Sequence, residues 1–116
     1  MSDSILLSIR EQLIGDPRDN SFDRDLIFDI NTAFNILSQA GVGPEGGFRI
    51  TGAQEEWPEF LGDNPMLEMA KDFVKFKVKV LFDPPSSSFV LEEFNKELDQ
   101  ILWRLNVEVD DQKGGT

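Results

Sequence analysis

Apolar residues near the end of the chain fall at alternating steps of three and four. From Ser88 onward they are Leu91, Phe94, Leu98, Ile101 and Leu105, a continuous stripe that predicts a helix over 88–106. Phe89, Lys96 and Trp103 fall on the opposite side of that helix, each seven residues from the next. Large aromatics on a face that should be wet are surplus to a monomer's core and point to packing against another chain. A rigid corner at Asp83-Pro84-Pro85 separates this helix from one predicted over 65–82. Asn64-Pro65 opens the earlier helix, a capping side chain followed by proline at the first helical position. Its stripe of Leu67, Ala70, Val74, Val78 and Leu81 is widened by Met66, Met69, Phe73, Phe76 and Val80. A helix apolar over more than half its circumference is buried on two sides, so this one is expected at the centre.

The first half of the chain carries two further helical patterns. Over 4–14, Ile5, Leu6, Ile9 and Leu13 share a side, Leu7 and Ile14 take the other, and Ser2, Asp3 or Ser4 can cap. Gly15-Asp16-Pro17 stops it. Over 23–40 the core side is Leu26, Ile27, Ile30, Ala33, Phe34 and Leu37, with Phe28 pointing roughly opposite. Asp23 is placed as its N-cap, with Phe22 and Ile27 spaced as a hydrophobic staple. A glycine-rich loop follows, in which residues 48–51 are either a short strand or an extended segment. Such a strand has no sheet to join within this chain. Residues 57–61 predict a single helical turn that puts Trp57 or Phe60 into the core before Gly62. Beyond Asn106, Val107, Glu108 and Val109 alternate, and 107–116 reads as an extended C-terminal arm that orders only on a partner. The expectation is thus an all-α, four-helix-type bundle over 1–106 with an extra short helical turn, a glycine-rich loop and that arm. Ile30, Phe34, Leu37, Val74, Val78, Leu98 and Ile101 are its expected buried core.

Composition narrows the chemistry. With 116 residues the chain is one domain by size, and its 22 acidic against 11 basic residues give a net charge of −11. That balance argues against an outward basic face for nucleic acid. No cysteine is present, so there is neither disulfide nor thiolate zinc site, which suits a reducing cytoplasm. No apolar run approaches the ~18 residues of a membrane span, and Met1-Ser2-Asp3 lacks the basic start of a signal peptide. A soluble protein without a membrane partner is expected.

Histidine and tyrosine are absent too, which removes the commonest general bases, nucleophiles and imidazole ligands. We assign no catalytic, cofactor or metal residues. Residues 41–46 match the letters GxGxxG, but a helix precedes them and Pro44 removes an amide that a pyrophosphate would need. Residues 19–23 alternate oxygen ligands, yet Arg24 stands where a calcium loop wants glycine. Lys71, Lys75 and Lys79 form an i, i+4 ladder beside Glu68 and Asp72. It is either a solvated face with helical ion pairs or a basic strip for an acidic neighbour. Lys77 falls inside the apolar arc, where its stem snorkels to water or its ammonium meets a carboxylate across an interface.

Several stretches together resemble the head–tail connector (adaptor, or head-completion) proteins of tailed bacteriophages of the siphovirus type. They are DSILLSIREQL (3–13), FDRDLIFDINTAFNILSQAGVGPEGGF (22–48), Trp57 with Phe60-Leu61, KVKVLFDPPSSSFV (77–90) and WRLN (103–106). The LFDPPSSSF corner followed by WRLN is the most specific part, whereas the residues after Asn106 match no motif. The resemblance implies an all-α subunit of a ring, typically a dodecamer, in the virion neck between capsid portal and tail. Synthesised in the host cytoplasm, such a ring docks under the portal protein after packaging. It lengthens the channel through which double-stranded DNA passes without sequence-specific contacts, and supports a stopper or tail-completion protein. Phe28, Phe89, Trp103, Lys71, Lys75, Lys77 and Lys79 are then candidates for subunit or partner contacts. Val107, Glu108 and Val109 are candidates for an arm reaching the portal. Two readings compete with this one: a small helical adaptor that binds a partner helix or peptide without forming a ring, and an enzyme or nucleotide-binding protein.

Overall fold

The computed structural model describes the backbone of residues 3–114 and side chains as far as Gln112. Helices α1 (Ile5–Leu13), α2 (Asp23–Gln39), α3 (Trp57–Leu61), α4 (Leu67–Phe82) and α5 (Ser88–Gly114) make an all-α bundle. The central position expected of α4 is observed, since α2, α3 and α5 all pack on it and α1 packs on α2. Its Ala70, Phe73, Val74, Val78 and Val80 are buried on both sides, as the width of its apolar arc requires.

Ser4 caps α1, accepting from Leu7 N at 3.3 Å and donating to the Ala53 carbonyl at 2.7 Å. Ile5, Leu6 and Ile9 are buried beneath it. The expected cap on α2 is different. The Asp23 carboxylate turns instead to Arg10, accepting from Nε at 2.8 Å and also from Nη2, while Phe22 takes the N-cap position. The Arg10 guanidinium is buried on α1 and donates a third bond, from Nη1, to the Pro17 carbonyl at 2.7 Å. A buried guanidinium needs a carboxylate more than a helix end needs a cap, because water satisfies the latter cheaply.

The loop after α2 resolves the question of the lone strand. Residues 48–50 have no regular secondary structure and Thr51 lies in a bend, and no strand forms among the described residues. Ile50 is buried, and its peptide groups bond to one buried side chain: Asn31 Oδ1 accepts from Ile50 N at 2.7 Å, and Asn31 Nδ2 donates to Ile50 O at 3.0 Å. The carboxamide thus supplies the donor and acceptor that a neighbouring strand would have offered. Phe48 and Phe60 then close on Phe34, with ring centroids 5.0 and 4.7 Å away. Both candidates in α3 enter the core, for Trp57 and Phe60 are each buried. Gly43, at φ +106, admits the Phe60 ring, since a Cβ there would lie 2.5 Å from it.

Two expectations fail at α5. The segment 107–116 is not an extended arm as far as it is described, because the helix continues without a break to Gly114. Val107, Glu108 and Val109 all lie on it, and Val109 is buried against the end of α2. The alternation of two valines misled; Leu105 and Val109 are i, i+4 neighbours that extend the core stripe. Asn106 Nδ2 donates to the Ala40 carbonyl at 3.0 Å, and the Gln112 and Asn64 carboxamides exchange bonds of 3.2 Å, fixing this end. Ile101 is only half-buried, whereas Ile30, Phe34, Leu37, Val74, Val78 and Leu98 are buried as expected. Ile101 sits toward the margin of the α5 stripe, with Leu98 and Leu105 nearer its centre.

Candidate interaction surfaces

With the core filled, three faces of the bundle keep groups that a monomer does not use. On α2, Phe28 is 72% exposed. One flank of it is a shallow hollow with Leu81 and Phe82 of α4, and Asp25 and Asp29 at its edge. The exposed Phe22 stacks edge-on to Phe82 at 5.6 Å, so the apolar patch extends around the start of α2. Burial pushes the Asp29 carboxyl above its ordinary pKa, and the charge of Asp25 adds to that. The other flank is a hollow of about 290 Å³ that holds Arg24, Asn35 and Arg49, with no carboxylate among its lining residues. Arg24 and Arg49 are both exposed and neither takes part in an ion pair among the described residues.

The second face is the outside of α5. Phe89 and Trp103 are 69% and 67% exposed, and at 1.5 Å per residue they stand about 21 Å apart along one side. Lys96 lies between them and pairs with Glu93 at 3.5 Å. Glu92, Asp110 and Asp111 share that exposed side, which makes it acidic as well as aromatic.

The third is an open groove of about 750 Å³ between α1 and α4. Lys71, Lys75 and Lys79 line it from α4, while Asp3 and Glu11 face them and Trp57 and Phe76 supply apolar surface. Lys71 is already engaged, with Nζ 3.2 Å from Glu68 and 5.6 Å from the centre of the Trp57 ring. Lys75 and Lys79 have no ion-pair partner among the described residues. Lys77 does not join them; it lies outside this groove, half-buried and without a carboxylate at ion-pair distance.

Of the candidate contact residues, then, three lysines share one groove, Phe89 and Trp103 share one helix face, and Phe28 stands on a third surface. Val107 is half-buried and Glu108 exposed, but Val109 belongs to the core. The arginine-lined hollow was missed. Arg24 and Phe28 are legible as i, i+4 neighbours, but Arg49 joins them only because Asn31 clamps Ile50 beside α2.

Among the described residues no group of three or more His, Cys, Asp or Glu could hold a metal ion. Among the described residues no helix is long and apolar enough to cross a membrane. A family model described as phage connector protein matches residues 5–112, nearly the whole chain. No curated protein and no solved structure gives a match.

Proposed function

The chain belongs to the phage connector protein family, and from that premise we propose that it is a ring-forming head–tail connector subunit of the virion neck. The ring, typically of twelve copies, docks under the portal protein, continues the DNA channel and carries the stopper or tail-completion protein. The observation that carries this reading is the family match over residues 5–112, joined to Phe28, Phe89 and Trp103 left exposed beside a complete core. A ring needs a heterologous interface, two different patches on each subunit, and α2 and α5 each offer an aromatic one. The lysine groove, with Lys75 and Lys79 unpaired, suits an acidic neighbour, and Lys77 adds a further cation at a joint. A net charge of −11 suits a channel that passes DNA without gripping its phosphates.

Contact with the portal falls to the C-terminal turns of α5, where Glu108 is exposed and Val107 half-buried. Val109 is not available for it without opening the core. Electron microscopy tests the function directly, with the purified protein alone and after addition to DNA-filled heads that lack it. Annular particles, or new density below the portal vertex, are expected. Heads that gain no density, together with a protein that shows no rings, would overturn the reading.

A further inference from the structure

The exposed surface holds two aromatic and charged patches that form no ion pair with one another within a single chain. The first is Phe28 on α2 with Arg24 and Arg49 on one flank, a hollow whose lining contains no carboxylate. Neither arginine takes part in an ion pair among the described residues, although the chain has 22 acidic residues against 11 basic ones. The second is the start of α5, where exposed Phe89 is followed one turn later by Glu92 and Glu93 on the same side. Glu92 has no ion pair among the described residues, and Glu93 has only the exposed contact with Lys96. Both patches join an aromatic anchor to charge within one helical turn, and the arginine flank of the first is opposite in sign to the carboxylates of the second.

We propose that the Phe28 surface of one copy receives the Phe89 end of α5 from a second copy, with Arg24 and Arg49 paired to Glu92 and Glu93. This inference rests on the ring reading and names the two patches that would make its subunit joint. The occupant is a second copy because this same chain carries the complementary charge beside an aromatic of its own. Arg donates in a planar fork that matches a carboxylate, and desolvation by two facing aromatics strengthens such pairs. The same α5 face also brings Lys96, a counter-charge for Asp25 and Asp29 on the far flank of Phe28. The contact is heterologous, with patch meeting a different patch, so it propagates from copy to copy and closes only as a ring.

The test is charge reversal read by sedimentation velocity over a concentration series of the full chain. Arg24→Glu with Arg49→Glu, and separately Glu92→Arg with Glu93→Arg, are each expected to weaken self-association by about tenfold or more, since like charges then face each other. An equimolar mixture of the two variants is expected to recover assembly, because each patch then meets its opposite on the other variant. The lack of cysteine in the chain provides an independent readout. Phe28→Cys and Phe89→Cys proteins, mixed and oxidised with diamide, should form mixed dimers in preference to either homodimer. Wild-type protein that assembles while both reversed variants assemble equally, or a mixture that stays apart, overturns the pairing and leaves the ring reading standing. Preferential Phe28→Cys homodimers would do the same by showing a two-fold contact. Wild-type protein that stays monomeric at every concentration and leaves the neck empty overturns the ring and the pairing together.

Discussion

Two groups of aromatic side chains in this molecule meet opposite fates, and the backbone beneath them explains why. Phe34, Phe48, Trp57 and Phe60 converge from α2, a loop and α3 into one cluster, three of them buried and Phe48 partly so. Phe28, Phe89 and Trp103 sit on the outer sides of long regular helices and stay exposed. A regular helix commits each residue to a fixed direction, so an aromatic out of phase with the core stripe has no route inward. The loop has no such period. It can bend its side chains into the core, provided its own peptide groups find partners, which is the task of Asn31, Ser4 and Glu55. The first group therefore stabilises the subunit, and the second is surplus to it.

The sharpest way to break that distinction is a matched pair of truncations. Phe34→Ala removes the ring around which the other three gather and should cost ~3–5 kcal/mol, the usual range for a buried phenylalanine. Trp103→Ala should stay within ~0.5 kcal/mol, as surface substitutions generally do, while weakening assembly. Chemical denaturation with helicity as the signal measures both. Equal losses would mean that Trp103 supports the fold and is not spare.

Asn31→Leu probes the polar half of the same cluster. It keeps bulk at the site but leaves the buried Ile50 amide and carbonyl without their partner, whose bonds are 2.7 and 3.0 Å. A loss of ~1–3 kcal/mol is expected, the desolvation cost of buried groups left unpaired. Hydrogen exchange should rise first at the Ile50 amide and only weakly along α5. A loss spread evenly over the whole chain would show that loop and bundle form one inseparable unit.

The helices were legible from their 3.6-residue stripes, with Gly15, Gly41 and Pro84 marking where α1, α2 and α4 stop. The breadth of the α4 stripe announced its central place, and the phases of Phe28, Phe89 and Trp103 announced their exposure. What escaped depended on long-range partners. Asp23 looked like a cap until Arg10 claimed it, since nothing local in the sequence ties residues thirteen apart on different helices. Arg49 and Ile50 gain their position from Asn31, nineteen residues before Ile50. The end of α5 was misjudged because Val107-Glu108-Val109 satisfies both a period of two and, with Leu105, a period of 3.6. Only the packing of Val109 against the end of α2 chooses between them.

The smallest of the expected losses within the packed interior and its loop concerns the turn that leads from the loop into α3. Glu55 accepts from Thr51 N at 2.8 Å, Thr51 Oγ1 at 2.9 Å and Gly52 N at 3.3 Å. Burial alone would raise the pKa of this carboxyl, but the bonds from Thr51 and Gly52 outweigh it, and the net value falls below the ordinary 4.5. A folded-state pKa below the unfolded one means that the ionised carboxylate favours the folded chain. That contribution is fully present above the unfolded value and is lost as pH falls from there through the folded value. Glu55→Gln removes the charge and replaces one acceptor oxygen with a donor, at a site that is half-buried and so partly screened. A loss of about 1 kcal/mol at pH 7 is expected, below the ~1.5–3 kcal/mol of hydrogen bonds to a charged group because the site is partly exposed. Thermal melts of both proteins should differ most near neutrality and converge below the ordinary glutamate range, because wild type loses its advantage there and the variant has none to lose. A gap that stays constant from pH 7 to pH 3 would show that the substitution acts through packing, and that the charge on Glu55 does not hold the loop against the core.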